Sequence, residues 1–174
     1  GEYIAFLDSD DRWYPDKLAQ VAEALEDHPQ AGLFYSDFRS VDKQGRHLRI
    51  ERCKHIAGDG YHHLLLYNFI GTSTAVVKRE CFDTCGLFYK GLFSAQDWDM
   101  WIRIAREFSI IHVPGVLVEY TWQSGGSVLA NPKALGCRRL VIERALEADS
   151  HIRRRHRVQI EARLCCGEGV TLMA

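Results

Sequence analysis

The residues best placed to do chemistry are Asp8, Asp10 and Asp11, three aspartates within four positions of the stretch GEYIAFLDSDDRWYPDKL that starts the chain. Like charges crowded at the end of an apolar run repel one another, which is costly unless a cation or hydrogen-bond donors compensate. The D-x-D spacing of Asp8 and Asp10 can put carboxylate oxygens on one side of a turn, an arrangement suited to a hard divalent cation such as Mg²⁺ or Mn²⁺. Such an ion keeps several waters and bridges to phosphate oxygens, so a phosphate ester or nucleotide would be its partner. Acid-rich turns also cap helices, bind Ca²⁺ or sit in solvent, and spacing alone does not choose among these.

A further carboxylate, Asp97, lies in LFSAQDWDMWIRIARE. Ser94 and Asp97 match a capping box, and Trp98, Trp101, Ile102, Ala105 and Phe108 follow at helical spacing, so Asp97 is predicted in the first turn of an amphipathic helix. On spacing alone it reads as a helix-capping carboxylate.

These carboxylates must be positioned by the elements around them. Tyr3 to Leu7 lacks polar alternation and reads as a strand buried on both faces, with the acidic residues as the loop that leaves it. Pro15 and Asp16 suit a helix start, and Leu18, Val21, Ala22 and Leu25 recur on one predicted face. Gly32 to Ile50 reads as two extended runs around the turn Asp42-Lys43-Gln44-Gly45. A short helix is predicted from Asp59 or Gly60 through Leu66, a strand over Ser73 to Arg79, and an extended region over Ser109 to Trp122 broken by Pro114-Gly115. The tail from Asn131 reads as helical, with starts at Asn131-Pro132 and Ser150. Strands alternating with helices define an α/β chain with a sheet flanked by helices.

Composition narrows the function classes. With 174 residues, 47% hydrophobic content and a net charge of −1, the chain can build one globular core and carries no global bias toward nucleic acid. Its six cysteines form no C-x-x-C element and read as free thiols, and no run is long enough to span a bilayer. His62 and His63 are adjacent and so point to different faces, which argues for surface histidines over a metal site. Thr72, Ser73 and Thr74 could hydrogen-bond an acceptor, although polar residues entering a strand need no such role. Arg138 to Arg157 is locally basic, with seven Arg against three acidic residues; it reads as a solvated helix face or an anion or membrane contact.

GEYIAFLDSDDRWYPDKL, then SAQDWDMWIRIA, then VPGVLVEYTWQSGGS resemble, in that order, motifs of the family 2 glycosyltransferases, whose domain has the GT-A fold. The resemblance covers about Gly1 to Ser127 and implies a mixed sheet flanked by helices, over residues 1–130, followed by a helical tail, 131–174. It implies that Asp10, assisted by Asp8, holds a divalent cation (Mn²⁺ or Mg²⁺) on the diphosphate of a nucleotide-sugar donor. Asp11 is a supporting donor-side residue. It implies that Asp97, in Gln96-Asp97 where relatives carry Glu-Asp, deprotonates the acceptor hydroxyl in an inverting transfer. Gln96, Trp98 and Trp122 are acceptor-side candidates, Trp122 either stacking on a sugar or base or packing in the core. Where relatives carry Arg or His after the tyrosine of the last motif, this chain has Thr121-Trp122.

The implied partners are a nucleotide-sugar donor and a glycan or lipid-linked acceptor, with no nucleic acid. The implied setting is the cytoplasm, and the Arg153 to Arg157 run could add a peripheral contact at the inner membrane face. Family members begin with a strand-and-helix half that binds base and ribose. Gly1 already lies inside a strand, so the chain is expected to be the C-terminal part of such a domain, inactive by itself, with Tyr3 to Leu7 as an edge strand. Two alternatives remain: a metal-dependent nucleotidyl or phosphoryl transferase, which would lack a Gly-rich phosphate loop here, and a non-catalytic remnant used for binding or assembly.

Overall fold

The computed structural model describes residues 1–53, 59–122, 132–152 and 154–165, apart from the side chains of Pro132, Arg155 and Cys165. Six strands form one mixed sheet. Its order is β1 (Tyr3–Ala5), β5 (Val76–Lys78), β3 (Ala31–Val41), β6 (Ser109–Thr121) and β2 (Arg12–Trp13), with β4 (His47–Glu51) pairing the far half of β3. The long pair β3 and β6 runs parallel and carries the sheet; the β1·β5, β2·β6, β3·β4 and β3·β5 pairs are antiparallel. The expected hairpin is formed by β3 and β4, with Gly45 at φ 77° in its turn.

Alternation along the strands feeds two cores. Leu33, Tyr35, Val77, Ile110 and Val118 face the larger one with α2 (Gly60–Leu66) and α4 (Gln96–Glu107), whereas Phe34, Val76, Val113 and Leu117 face the smaller one under Val21 of α1 (Lys17–Asp27). Helix α3 (Glu80–Cys85) packs against α4, and the tail helices α5 (Pro132–Ala148) and α6 (Arg154–Cys165) add Val141, Ile142, Leu146 and Ile160 to the larger core. Over its described residues the tail is helical as expected, although its second helix starts at Arg154 and not at Ser150; residues 131, 166–174 and the Gln123 to Ser127 end of the last motif lie outside the described residues.

Four local expectations are corrected. Pro114-Gly115 does not break the last strand: Ser36 pairs with Val113, Asp37 with Val116 and Phe38 with Val118, so β6 absorbs three extra residues, with Gly115 at φ 121°. Three is odd against the two-residue side-chain period, so β3 changes faces across the bulge: Leu33 and Tyr35 before it and Phe38 after it all reach the larger core, and pairing resumes. The first strand is an edge strand as expected but is not buried on both faces, since Ala5 is exposed and Leu7 is 47% exposed. In α1 the inward positions are Val21 and, fully buried, Lys17, while Leu18 points outward. The predicted strand over Ser73 to Arg79 starts as a 3-10 turn, Thr72–Thr74, before β5. The thiols of Cys53, Cys81, Cys85 and Cys137 are free, as expected.

Candidate active site

Strands β1 and β2 lie at opposite ends of the sheet, so the chain joining them must cross the sheet's end, and the acidic residues occupy that crossing. Three contacts hold it in place. The Asp8 N–H donates to Ser73 Oγ at 3.0 Å, Ser73 Oγ donates to Asp11 at 2.5 Å, and the Thr121 N–H donates to the other Asp11 oxygen at 2.9 Å. Thr121 Oγ1 also donates to the Asp10 carbonyl at 2.5 Å. Asp11 is buried, at 7% exposure, and spends both oxygens on this scaffold, whereas Asp8 and Asp10 lie exposed beside it.

Asp97 comes to the same place from α4. Its carboxylate accepts from Asn68 Nδ2 at 3.1 Å and Thr72 Oγ1 at 3.4 Å. The expected capping box is absent, because the helix starts at Gln96 after Ala95 with no side-chain cap, and Ser94 lies against Cys137 instead. Ala95 has φ 62°, the one non-glycine residue with positive φ among those described, immediately before Gln96-Asp97. Such a conformation costs about 1 kcal/mol or more and tends to cluster at functional sites.

Electrostatics show how closely the groups gather. Burial raises the Asp97 pKa, the N–H of Trp98 and the Asn68 and Thr72 donors oppose that, and Asp8 raises it further. Asp8 is raised by burial and by Asp10, and Asp11 by burial against its two hydrogen bonds. The Tyr120 phenol is raised by burial and then by the charges of Asp11, Asp8, Asp10 and Asp97. From the tail, Arg138 has its pKa lowered by burial and held up by Asp97.

Among the described residues, no set of three or more His, Cys, Asp or Glu side chains could cage a metal. Two exposed, mutually repelling carboxylates without a closed cage nevertheless fit an ion that completes its shell with water and phosphate oxygens, the habit of Mg²⁺ and Mn²⁺. Asp8 and Asp10 are the exposed pair, whereas both Asp11 oxygens accept hydrogen bonds.

The acceptor-side candidates divide. Gln96 bonds the Leu92 carbonyl at 2.9 Å within its own turn. Trp98 is 4% exposed and donates to the Leu64 carbonyl at 2.7 Å, so its indole packs against α2 in the core and not on an open face. Trp122 is 37% exposed, which removes the core role considered for it, and its N–H donates to the Val41 carbonyl. Sequence reasoning missed Asn68, Tyr120, Arg138 and Lys17. Only Lys17 left a signal: a cation on the first turn of a helix sits where the helix dipole disfavours it.

A mixed sheet with an acidic loop crossing its end, faced by a carboxylate on a helix start, defines an α/β domain of the GT-A-like class. The chain belongs to the glycosyltransferase-like family 2, which it matches over residues 1–148. It is 33% identical over 156 residues to the uncharacterized protein y4gI of Sinorhizobium fredii, covering 84% of this chain and 16% of that protein. It is 31% identical over 132 residues to the amylovoran biosynthesis glycosyltransferase AmsB of Erwinia amylovora, covering 69% of this chain and 42% of that protein. Its fold matches a crystal structure of S. aureus TarS with TM-score 0.63 at 18% identity, over 96% of this chain and 47% of TarS; a TarS complex with UDP matches equally well. The chain thus spans less than half the length of these relatives. Among the described residues no helix is long and apolar enough to cross a membrane.

Proposed function

We propose that this chain carries the metal loop and acceptor side of an inverting, metal-dependent glycosyltransferase. Its donor is a nucleotide-diphospho-sugar and its acceptor a glycan or lipid-linked hydroxyl in the synthesis of a cell-envelope polysaccharide. The single observation that carries this reading is that two neighbouring residues of one turn join the separate carboxylates: Thr72 donates to Asp97, and Ser73 accepts from the Asp8 N–H and donates to Asp11. AmsB, by its name a glycosyltransferase of amylovoran biosynthesis, and the UDP-bound form of TarS support the polysaccharide and nucleotide parts of it.

In this mechanism Asp8 and Asp10 would hold a divalent cation, Mn²⁺ or Mg²⁺, which would supply positive charge to the leaving diphosphate. Asp97 accepts the proton of the acceptor hydroxyl while that oxygen bonds to the anomeric carbon and the bond to the diphosphate oxygen breaks on the opposite face. Burial makes Asp97 a stronger base than an ordinary aspartate, and Asn68 and Thr72 hold its carboxylate in one orientation. The reaction takes place on the cytoplasmic side, where nucleotide sugars are available.

The test is nucleotide release and sugar transfer by the protein expressed from its complete reading frame, with Mn²⁺ and a panel of nucleotide sugars. Asp97→Asn should lower turnover by about 10²–10⁴-fold while donor binding stays near wild type. Unchanged turnover in that variant would remove Asp97 from its role.

A further inference from the structure

Lys17 is a buried residue that the proposed chemistry leaves without a task. Its side chain is fully enclosed, its Nζ donates to the Thr74 carbonyl at 2.9 Å, and it lies 5.6 Å from the centre of the Trp13 ring. Among the described ion pairs it takes none. Burying an ammonium costs several kcal/mol, and placing one on the first turn of a helix adds to that cost. A methionine would fill the same volume without either penalty, so packing alone does not account for a lysine here.

What Lys17 holds is the Thr72–Thr74 turn, and each residue of that turn reaches a different part of the site. Thr72 donates to Asp97, and Ser73 accepts from the Asp8 N–H and donates to Asp11. The Ser73 carbonyl accepts from Trp13 Nε1 at 2.9 Å, and the Thr74 carbonyl accepts from Lys17. A single 3-10 turn has poor hydrogen-bond geometry of its own, so its partners set its position. The Lys17 ammonium bonds the Thr74 carbonyl, and the neighbouring residues of that turn bond the acids, so the lysine acts on them through the turn.

We propose that Lys17 is a positioning residue: its ammonium pins the Thr72–Thr74 turn, and through that turn it sets Asp8 and Asp11 relative to Asp97. This role rests on the reading of Asp8, Asp10 and Asp97 as the working carboxylates, but the geometry it describes can be measured without substrate. Outer contacts of this kind, when removed, change metal affinity by about 10–100-fold.

The experiment compares Lys17→Met, Lys17→Arg and the wild-type chain by two-dimensional NMR, reading amide hydrogen exchange and the broadening caused by Mn²⁺ alone. Lys17→Met should speed exchange of the Asp8 and Thr121 amides, which bond Ser73 and Asp11, by about 10-fold or more while the amides of β3 and α4 keep their rates. It should also weaken Mn²⁺ broadening around Asp8 and Asp10, and Lys17→Arg should restore both effects. Unchanged exchange at Asp8 and Thr121, or equal acceleration throughout the chain, overturns the proposal. If Lys17→Met does not fold, Lys17→Gln repeats the comparison with a neutral donor, and failure of both to fold assigns Lys17 to folding and overturns its positioning role. Wild-type broadening that survives Asp10→Asn unchanged would sink the metal reading, and the exchange data would still judge Lys17.

Discussion

Asp97 is held by two neutral donors in a pocket that otherwise disfavours its charge, so the donors set how much of it is ionised. Removing them with Asn68→Ala or Thr72→Val takes away contacts to the carboxylate form and raises its pKa further. The acidic limb of the pH–rate profile should then move to higher pH in both variants, with the alkaline side unchanged; a limb that stays in place would show that Asp97 does not control it. Lys17 makes a second residue-level expectation. Burial lowers its pKa from 10.5 to about 8, so between those values the unfolded chain holds a proton that the folded chain has lost, and stability rises with pH. Relative to Lys17→Met, the wild-type protein should gain roughly 3 kcal/mol across that window in denaturant unfolding. Cys53 and Cys81, pushed up to about 12 by burial, act with the opposite sign above their ordinary value of 9.0, but they do so in both proteins and cancel. A difference independent of pH would mean that Lys17 keeps its ordinary pKa when folded.

At the scale of elements, the site depends on β3 and β6 staying in register, because Thr121 at the end of β6 clamps Asp11 and the Asp10 carbonyl. The start of β3 is packed tightly. A Cβ on Gly32 would lie 2.6 Å from Phe108 Cβ and 2.7 Å from Cys81 Sγ. Gly32→Ala is therefore expected to destabilise the fold by about 1–3 kcal/mol through overpacking, read as a lower midpoint in thermal unfolding. An unchanged midpoint would show that α3 and the start of β6 can give way. The bulge at Pro114-Gly115 illustrates the same dependence: three extra residues of β6 between the Ser36 and Phe38 pairings bring Phe38 onto the same core as Tyr35.

At the scale of the whole molecule, the tail helices belong to the fold that holds the site. Asp99, 4% exposed, pairs with Arg103 of its own helix at 2.8 Å and with Arg144 of α5 at 3.5 Å, and Arg144 also lies 3.9 Å over the Tyr89 ring. Helix α6 is fastened to α2 by Arg163, which donates to the Leu66 carbonyl at 3.2 Å, and by the His62 and His156 rings, 4.1 Å apart. Asp99→Ala leaves two arginines facing a half-buried gap and is expected to cost about 3 kcal/mol in denaturant unfolding, with α5 losing protection from exchange first. A cost near zero would show that α5 is held by its apolar contacts alone. The Arg138 guanidinium of α5 also feels the charge of Asp97.

The order of elements, the hairpin, the helix carrying Asp97 and the acidic loop were legible in the sequence, because each follows from local periodicity, turn residues or a motif. The family was legible for the same reason: its motifs are contiguous stretches, each readable without knowing its neighbours. Only the tertiary structure decided that Asp11 is a clamp and not an open ligand, that Trp98 is core while Trp122 is exposed, and that Lys17 replaces Leu18 on the buried side of α1. Nor could any local pattern join Asn68, Thr72, Ser73, Tyr120 and Arg138 to the aspartates. The hydrogen bonds of the site link residues up to 111 positions apart, and they exist because the chain crosses the end of a sheet whose first and second strands lie at opposite ends.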